Sequence, residues 1–131
     1  DISEIALKME IDAIVATNTT LDRRGIKSRV KNEKGGLSGK PLFSKSTWVL
    51  AHLSQRLDNK IPLIGVGGVA SATDAYQKLL AGATAVQLYT GLVYHGIGLV
   101  SEINKGLSEI LSKQGIDHVS KVVGKERDNF L

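Results

Sequence analysis

Apolar positions along this chain follow two rhythms, short unbroken runs and longer stretches with a helical repeat. The unbroken runs are Ala13-Ile14-Val15-Ala16, "IPLIGV" from Ile61 to Val66, and "AVQLY" from Ala85 to Tyr89. Runs without alternation suit strands covered on both faces, as in parallel sheets. Val49, Leu53 and Leu57, with Trp48 and Leu50 beside them, predict a helix over Phe43–Leu57. Ala72, Ala75, Tyr76, Leu79 and Leu80 predict another over Ser71–Ala81, ended by Gly82. Ser71 with Asp74 three residues later resembles a capping box in which Asp replaces the usual Glu. Ile103, Leu107 and Leu111 mark a helix from about Leu99 to Leu111. At the start, Ile2 to Glu10 reads as the tail of a helix with Ile5, Ala6 and Met9 on one face. The end, from Gly115, holds a candidate short helix at His118–Val123 and then a charged tail.

This order, α-β-loop-α-β-α-β-α, predicts a parallel sheet with right-handed crossovers. Ile61 to Ala85 spans 24 residues, about the minimum for one β/α unit, whereas Ala13 to Ile61 is twice as long. The excess is an elaborated loop after the first strand, and long loops inside compact domains are usually functional. In α/β proteins the loops at the C-terminal ends of the strands carry the site.

Charge sharpens attention on that loop. From Leu21 to Lys45 it carries Arg23, Arg24, Lys27, Arg29, Lys31, Lys34, Lys40 and Lys45 against only Asp22 and Glu33, within a chain of net charge +4. Such a run suits nucleic acid, an anionic membrane or a phosphorylated ligand, or it is a solvated loop. With 131 residues, 42% hydrophobic and 23% charged, the composition is that of one globular domain. There are no cysteines, which excludes disulfides, thiolate metal sites and Cys nucleophiles. His52, His95 and His118 share no spacing suggestive of a metal site and read as surface or structural residues. No apolar run reaches the roughly 18 residues of a transmembrane helix. The chain starts at Asp1, without an initiator Met or signal peptide, so it is expected to be part of a longer one.

The chemistry concentrates in "IPLIGVGGVASATDA", where a strand runs into Gly65, Gly67 and Gly68 and a Ser opens the next helix. Gly65 to Ala70 matches G-x-G-x-x-A, a permitted form of the dinucleotide fingerprint. A dinucleotide site also needs an acid about 20 positions on to hold the ribose. No Asp or Glu lies between Ala75 and Gly98, which argues against that reading. The other reading is the phosphate site of a (β/α)8 barrel, formed by the loops after the seventh and eighth strands. Glycines there let backbone N–H groups approach the phosphate. Two such loops occur in succession, "GVGGVAS" and "YTGLVYHG". Three strands cannot close a barrel, so the chain would be its last part. The plain alternative is that the glycines only make tight turns.

With "ATNTTLDR", "GGLSGKP", "IGVGGV" and "AVQLYTGLVYHG" in this order, the sequence resembles the dihydroorotate dehydrogenases, and within them the class 2, quinone-reducing branch. The resemblance runs from about Ile11 to Gly124. It implies a single partial domain over residues 1–131, the C-terminal part of an FMN-binding (β/α)8 barrel holding strands six, seven and eight. It further implies that Thr17 contacts the flavin, and that Asn18 and Thr19 are ligands of dihydroorotate. An Asn amide offers two donors and an acceptor, which match the imide edge and carboxylate of a pyrimidine; without the family, Asn18 reads as a turn residue. Gly39 and Gly68 match backbone positions against the flavin. Tyr89 and Thr90 match the last pieces of its phosphate cradle, with Gly67 and Gly91 secondary. Without the family, Tyr89 reads as a core residue of its strand.

In this family a base removes a proton from C5 of dihydroorotate while hydride passes from C6 to the flavin, which then reduces a quinone. The class 2 base is a Ser in the earlier half of the barrel. Ser38 and Ser46 each sit in motifs with another place in the family pattern, so no catalytic residue is expected in this chain and the isolated fragment is expected to be inactive. The membrane-docking helices of the class also lie outside it. The implied setting is a bacterial inner membrane, or the mitochondrial one in a eukaryote, with dihydroorotate and quinone as partners and no nucleic acid or metal. Alternatives are another FMN- or phosphate-binding barrel dehydrogenase, disfavoured by "TNTT" followed by "LDR", and a non-catalytic half-barrel fragment.

Overall fold

A computed structural model describes all residues from Asp1 to Leu131. Three strands, β1 (Ile14–Ala16), β2 (Leu63–Val66) and β3 (Ala85–Gln87), form a parallel sheet in the order β1-β2-β3. Ile14 pairs with Leu63 and Ile64 with Ala85, so the C-terminal ends of all three strands lie on one edge. β2 is central, and its Leu63 and Gly65 are buried. The helices are α1 (Ile2–Lys8), α2 (Phe43–Leu57), α3 (Ala72–Leu80), α4 (Thr90–His95) and α5 (Leu99–Lys113).

The helix α2 keeps its expected limits but not its expected inner face. Leu50 and Leu57 are fully buried, yet the rest of the buried stripe is Ser46, Thr47, Ala51 and Ser54. Val49 and Leu53 are only half-buried, and Trp48 lies at the surface, tilted against His52 with ring centroids 4.1 Å apart. Small and hydroxylated residues let α2 approach β2 and the turn after α3 closely. At Gly82, with φ of 119°, a Cβ would lie 2.1 Å from the Ser54 hydroxyl.

Strand and helix ends shift for identifiable reasons. β2 starts two residues after Ile61, beyond Pro62, whose missing N–H cannot join the ladder. β3 stops at Gln87 rather than Tyr89, because Tyr89 turns the chain into α4, a helix the apolar pattern does not predict. Tyr89 itself is 80% exposed, so it is no core residue. In α1, Ala6 is buried but Ile5 and Met9 are exposed, flanking the open edge of β1 beside Ile2, Ile11 and Val15. That helix leans on α2 through its Ala6 side, while Ile5 and Met9 line an open apolar groove with Ile11, Ala13, Ile14 and Val15. The tail forms a 3-10 turn at Val119–Val122, with Val122 fully buried against Leu79 and Leu80.

The cap of α3 departs from the expected box in one bond. Ser71 Oγ accepts from Asp74 N–H at 3.1 Å, while the Asp74 carboxylate accepts from Ala70 N–H at 3.0 Å instead of from Ser71. Both bonds fix the exit of the glycine loop into α3. Ser71→Ala is expected to lower stability by about 1 kcal/mol, measured as a shift in denaturant midpoint.

Candidate functional site

Because the strands are parallel, the segments following them meet at the same end of the sheet. Thr17-Asn18-Thr19 follows β1, Gly67-Gly68-Val69 follows β2, and Leu88 to Gly91 follows β3. Together with Ser38, Gly39 and Leu42 they line one cleft of about 210 Å³. All nine residues picked from the sequence, Thr17, Asn18, Thr19, Gly39, Gly67, Gly68, Tyr89, Thr90 and Gly91, lie on its wall. Val66, Val69, Gln87 and Leu88 line it as well, within the same strand and loop motifs that mark no site role for them. No carboxylate, histidine, lysine or arginine is on the wall.

Each loop is held by specific contacts. The Thr17 N–H donates to Val66 O at 3.2 Å, which ties the end of β1 to the end of β2. Asn18 Oδ1 accepts from the Thr19 N–H at 2.7 Å, so half of the side chain serves the turn. Its Nδ2 donates to no group of the chain. Thr19 is packed under Gly36, where a Cβ would fall on its hydroxyl. Gly39, with φ of 75°, places its backbone against the Thr90 methyl, and Thr90 Oγ1 donates to Ser38 Oγ at 2.8 Å. The loop after β1 is thereby fastened to the start of α4.

The glycines after β2 do two jobs. Gly67 and Gly68 have φ of 114° and 77°, a region that favours residues without a Cβ. A Cβ on Gly68 would lie 2.6–2.7 Å from Phe43, backbone included, so the loop abuts the start of α2. Meanwhile the N–H groups of Gly67, Gly68, Val69 and Tyr89 donate to no acceptor within the protein. Unpaired backbone donors gathered at a cleft form an anion-binding concavity.

The basic loop is an excursion closed at its neck. Thr20 and Leu37 exchange both backbone bonds, at 3.1 and 2.7 Å. Arg23 closes the same neck from inside, donating to Thr20 O at 2.9 Å and to Gly35 O at 2.5 Å. Asp22 takes Arg24 and, at 3.6 Å, Lys45; the hydrogen bonds from Arg24 hold its carboxyl well below the usual carboxylate range. Lys27, Arg29, Lys31, Lys34 and Lys40 make no ion pair and are exposed. His52 bonds Trp48 O, His118 caps the 3-10 turn after it, and His95 ends α4; no three metal-ligating side chains cluster.

A parallel α/β unit with glycine loops and unpaired N–H groups at its strand ends has the layout of one part of a (β/α)8 barrel. The chain belongs to the dihydroorotate dehydrogenase family, whose model matches residues 1–111. It is 54% identical over its whole length to a dihydroorotate dehydrogenase (quinone) of Cereibacter sphaeroides, of which it covers 37%. It is 49% identical over 123 residues to one of Allorhizobium ampelinum, covering 93% of this chain and 34% of that protein. The crystal structure of the ligand-free dihydroorotate dehydrogenase of Eimeria tenella superposes with a TM-score of 0.91 at 34% identity, over 95% of this chain and 35% of that one. The chain thus spans about a third of the length of these relatives. Its fold is the C-terminal part of a (β/α)8 barrel, with β1 to β3 as about strands six to eight.

Proposed function

We propose that this chain forms the cofactor-phosphate and pyrimidine-facing part of a quinone-dependent dihydroorotate dehydrogenase, an oxidoreductase of pyrimidine biosynthesis. The observation that carries the reading is the convergence of three loops, two of them with unpaired N–H groups, on one cleft free of acidic side chains. An FMN phosphate fits that donor set, since N–H groups without acceptors favour an anion and no carboxylate opposes it. Gly67, Gly68, Tyr89, Thr90 and Gly91 would hold the phosphate, and Thr17 and Gly39 the ring system. When bound, FMN supplies the hydride acceptor for dihydroorotate and the electron donor for a quinone.

Asn18 and Thr19 orient the substrate. Intramolecular bonding of Asn18 Oδ1 fixes the amide plane and leaves Nδ2 as a donor toward a carbonyl or carboxylate. Thr19, backed by Gly36, keeps its position for a second contact. No proton acceptor suited to C5 is offered here: Ser38 is engaged with Thr90, and Ser46 is buried under the glycine loop. The base then comes from other parts of the barrel, whose strands would also cover the open edges of β1 and β3. Membrane association, at a bacterial or mitochondrial inner membrane, likewise rests on segments outside this one.

The test uses the full-length protein that contains this chain, purified in detergent. It is expected to carry flavin absorbance and to oxidise dihydroorotate with a quinone, while the 131-residue chain alone gives no turnover. Full-length protein lacking both flavin and turnover would overturn the proposal, as would turnover by the isolated chain.

A further inference from the structure

Lys78 is fully buried in α3, an unusual place for a lysine. Its ammonium lies 4.8 Å from the centre of the Phe43 ring and donates to Ser46 Oγ at 2.6 Å. Ser46 Oγ in turn reaches two carbonyls, Phe43 O and Gly67 O, both at 3.0 Å. An ammonium has donors only, so Ser46 accepts from Lys78 and must turn its single hydrogen toward those carbonyls. Phe43 O already accepts from Thr47 Oγ1 at 2.7 Å. Gly67 O has no backbone donor, so Ser46 is its partner in the chain.

We infer that Lys78 and Ser46 are positioning residues for the anion cradle: the Lys78–Ser46–Gly67 relay orients the Gly67–Gly68 peptide so that the Gly68 N–H faces the cleft. The peptide plane supplies the geometry, since a C=O held toward α2 directs the adjoining N–H the opposite way. Gly67 must also lack a Cβ for this contact, because a Cβ there would meet Ser46 Oγ at 2.8 Å. The relay further puts a cation behind the cradle, two hydrogen bonds from the peptide that lines it. Burial lowers the Lys78 pKa to about 8, with Asp74 opposing the shift, which leaves the ammonium protonated at neutral pH. Neither residue lines the cleft, so both act through the loop.

This inference rests on the phosphate reading above, and one experiment separates the two. Apo-protein of the full-length enzyme is titrated with FMN and with riboflavin, which lacks the phosphate, following flavin fluorescence. Wild type is expected to bind FMN at least tenfold more tightly than riboflavin. Lys78→Met should lose about tenfold in FMN affinity, with riboflavin affinity unchanged and the thermal midpoint within about 5 °C of wild type. Ser46→Ala should narrow the FMN-to-riboflavin ratio in the same way, and it carries the test if Lys78→Met does not accumulate as folded protein. A variant that keeps the wild-type ratio overturns the relay, and so does an equal weakening of both flavins. A wild type that does not distinguish FMN from riboflavin overturns the phosphate reading itself.

Discussion

Gly68→Ala is expected to destabilise the protein by about 2–5 kcal/mol and to strip it of flavin. Two separate penalties add at this position. With φ of 77°, any L side chain takes a left-handed conformation that costs about 1–2 kcal/mol. The new methyl would also stand 2.6–2.7 Å from Phe43 N, Cα and Cβ, and the first two are backbone atoms of the α2 start that cannot rotate away. Overpacking of this kind costs about 1–3 kcal/mol. Relief requires the loop to lift off α2, which moves the N–H groups of Gly67, Gly68 and Val69 together. Gly98→Ala is the control: its φ is −58° and nothing lies within 4 Å of the added atom. Denaturant midpoints and flavin-to-protein absorbance ratios read both effects. A Gly68→Ala protein with wild-type stability and flavin content would refute the packing argument.

Asn18→Ala is expected to leave flavin content and folding nearly intact while kcat/KM for dihydroorotate falls about a hundredfold. The side chain is exposed at the end of β1, and the two internal bonds its Oδ1 accepts, from the Thr19 N–H at 2.7 Å and Thr19 Oγ1 at 3.4 Å, belong to a turn that water can also satisfy. What the substitution removes is the Nδ2 donor and the fixed plane of the amide. Asn18→Asp sharpens the result. It keeps an oxygen for the Thr19 N–H but replaces the donor with a negative charge facing an anionic substrate, so it should do no better than Ala. Steady-state kinetics with saturating quinone decide the matter; an unchanged kcat/KM in either variant would remove Asn18 from the substrate site.

Much of the scaffold was legible because the parallel strands announce themselves as unbroken apolar runs and the glycines fall at their ends. The nine cleft residues were legible for the same reason, since every one follows a strand or belongs to a motif of the family. The remaining features depend on contacts that a linear pattern does not carry. Lys78 sits on a helix where a lysine normally reads as solvent-facing, and its burial depends on Ser46 and the Phe43 ring of α2, which no linear pattern places opposite it. The inner stripe of α2 is written in Ser, Thr and Ala, so Val49, Leu53 and Trp48 attract attention that their exposure does not justify. α4 has no amphipathic repeat and exposes Val93 and Tyr94, leaving nothing periodic to find. The three positions of α1 expected on one face part company: Ala6 packs on α2, while Ile5 and Met9 stay exposed beside the open edge of β1.

The pinched neck of the basic loop has a consequence for how this segment can vary. Thr20 and Leu37 pair directly, and Arg23 seals the junction, so residues between Arg23 and Gly35 hang outside a closed gate. Because the Thr20–Leu37 pair and Arg23 close the neck, a longer or shorter excursion is expected to leave Asn18 on one side and Gly39 on the other in place. Closure entropy changes by only about 0.6 kcal/mol for each doubling of loop length. The stretch from Gly25 to Lys34 is therefore expected to act as a module whose size and charge can be rewritten, a port for grafted sequence or labels beside a cleft that keeps its shape.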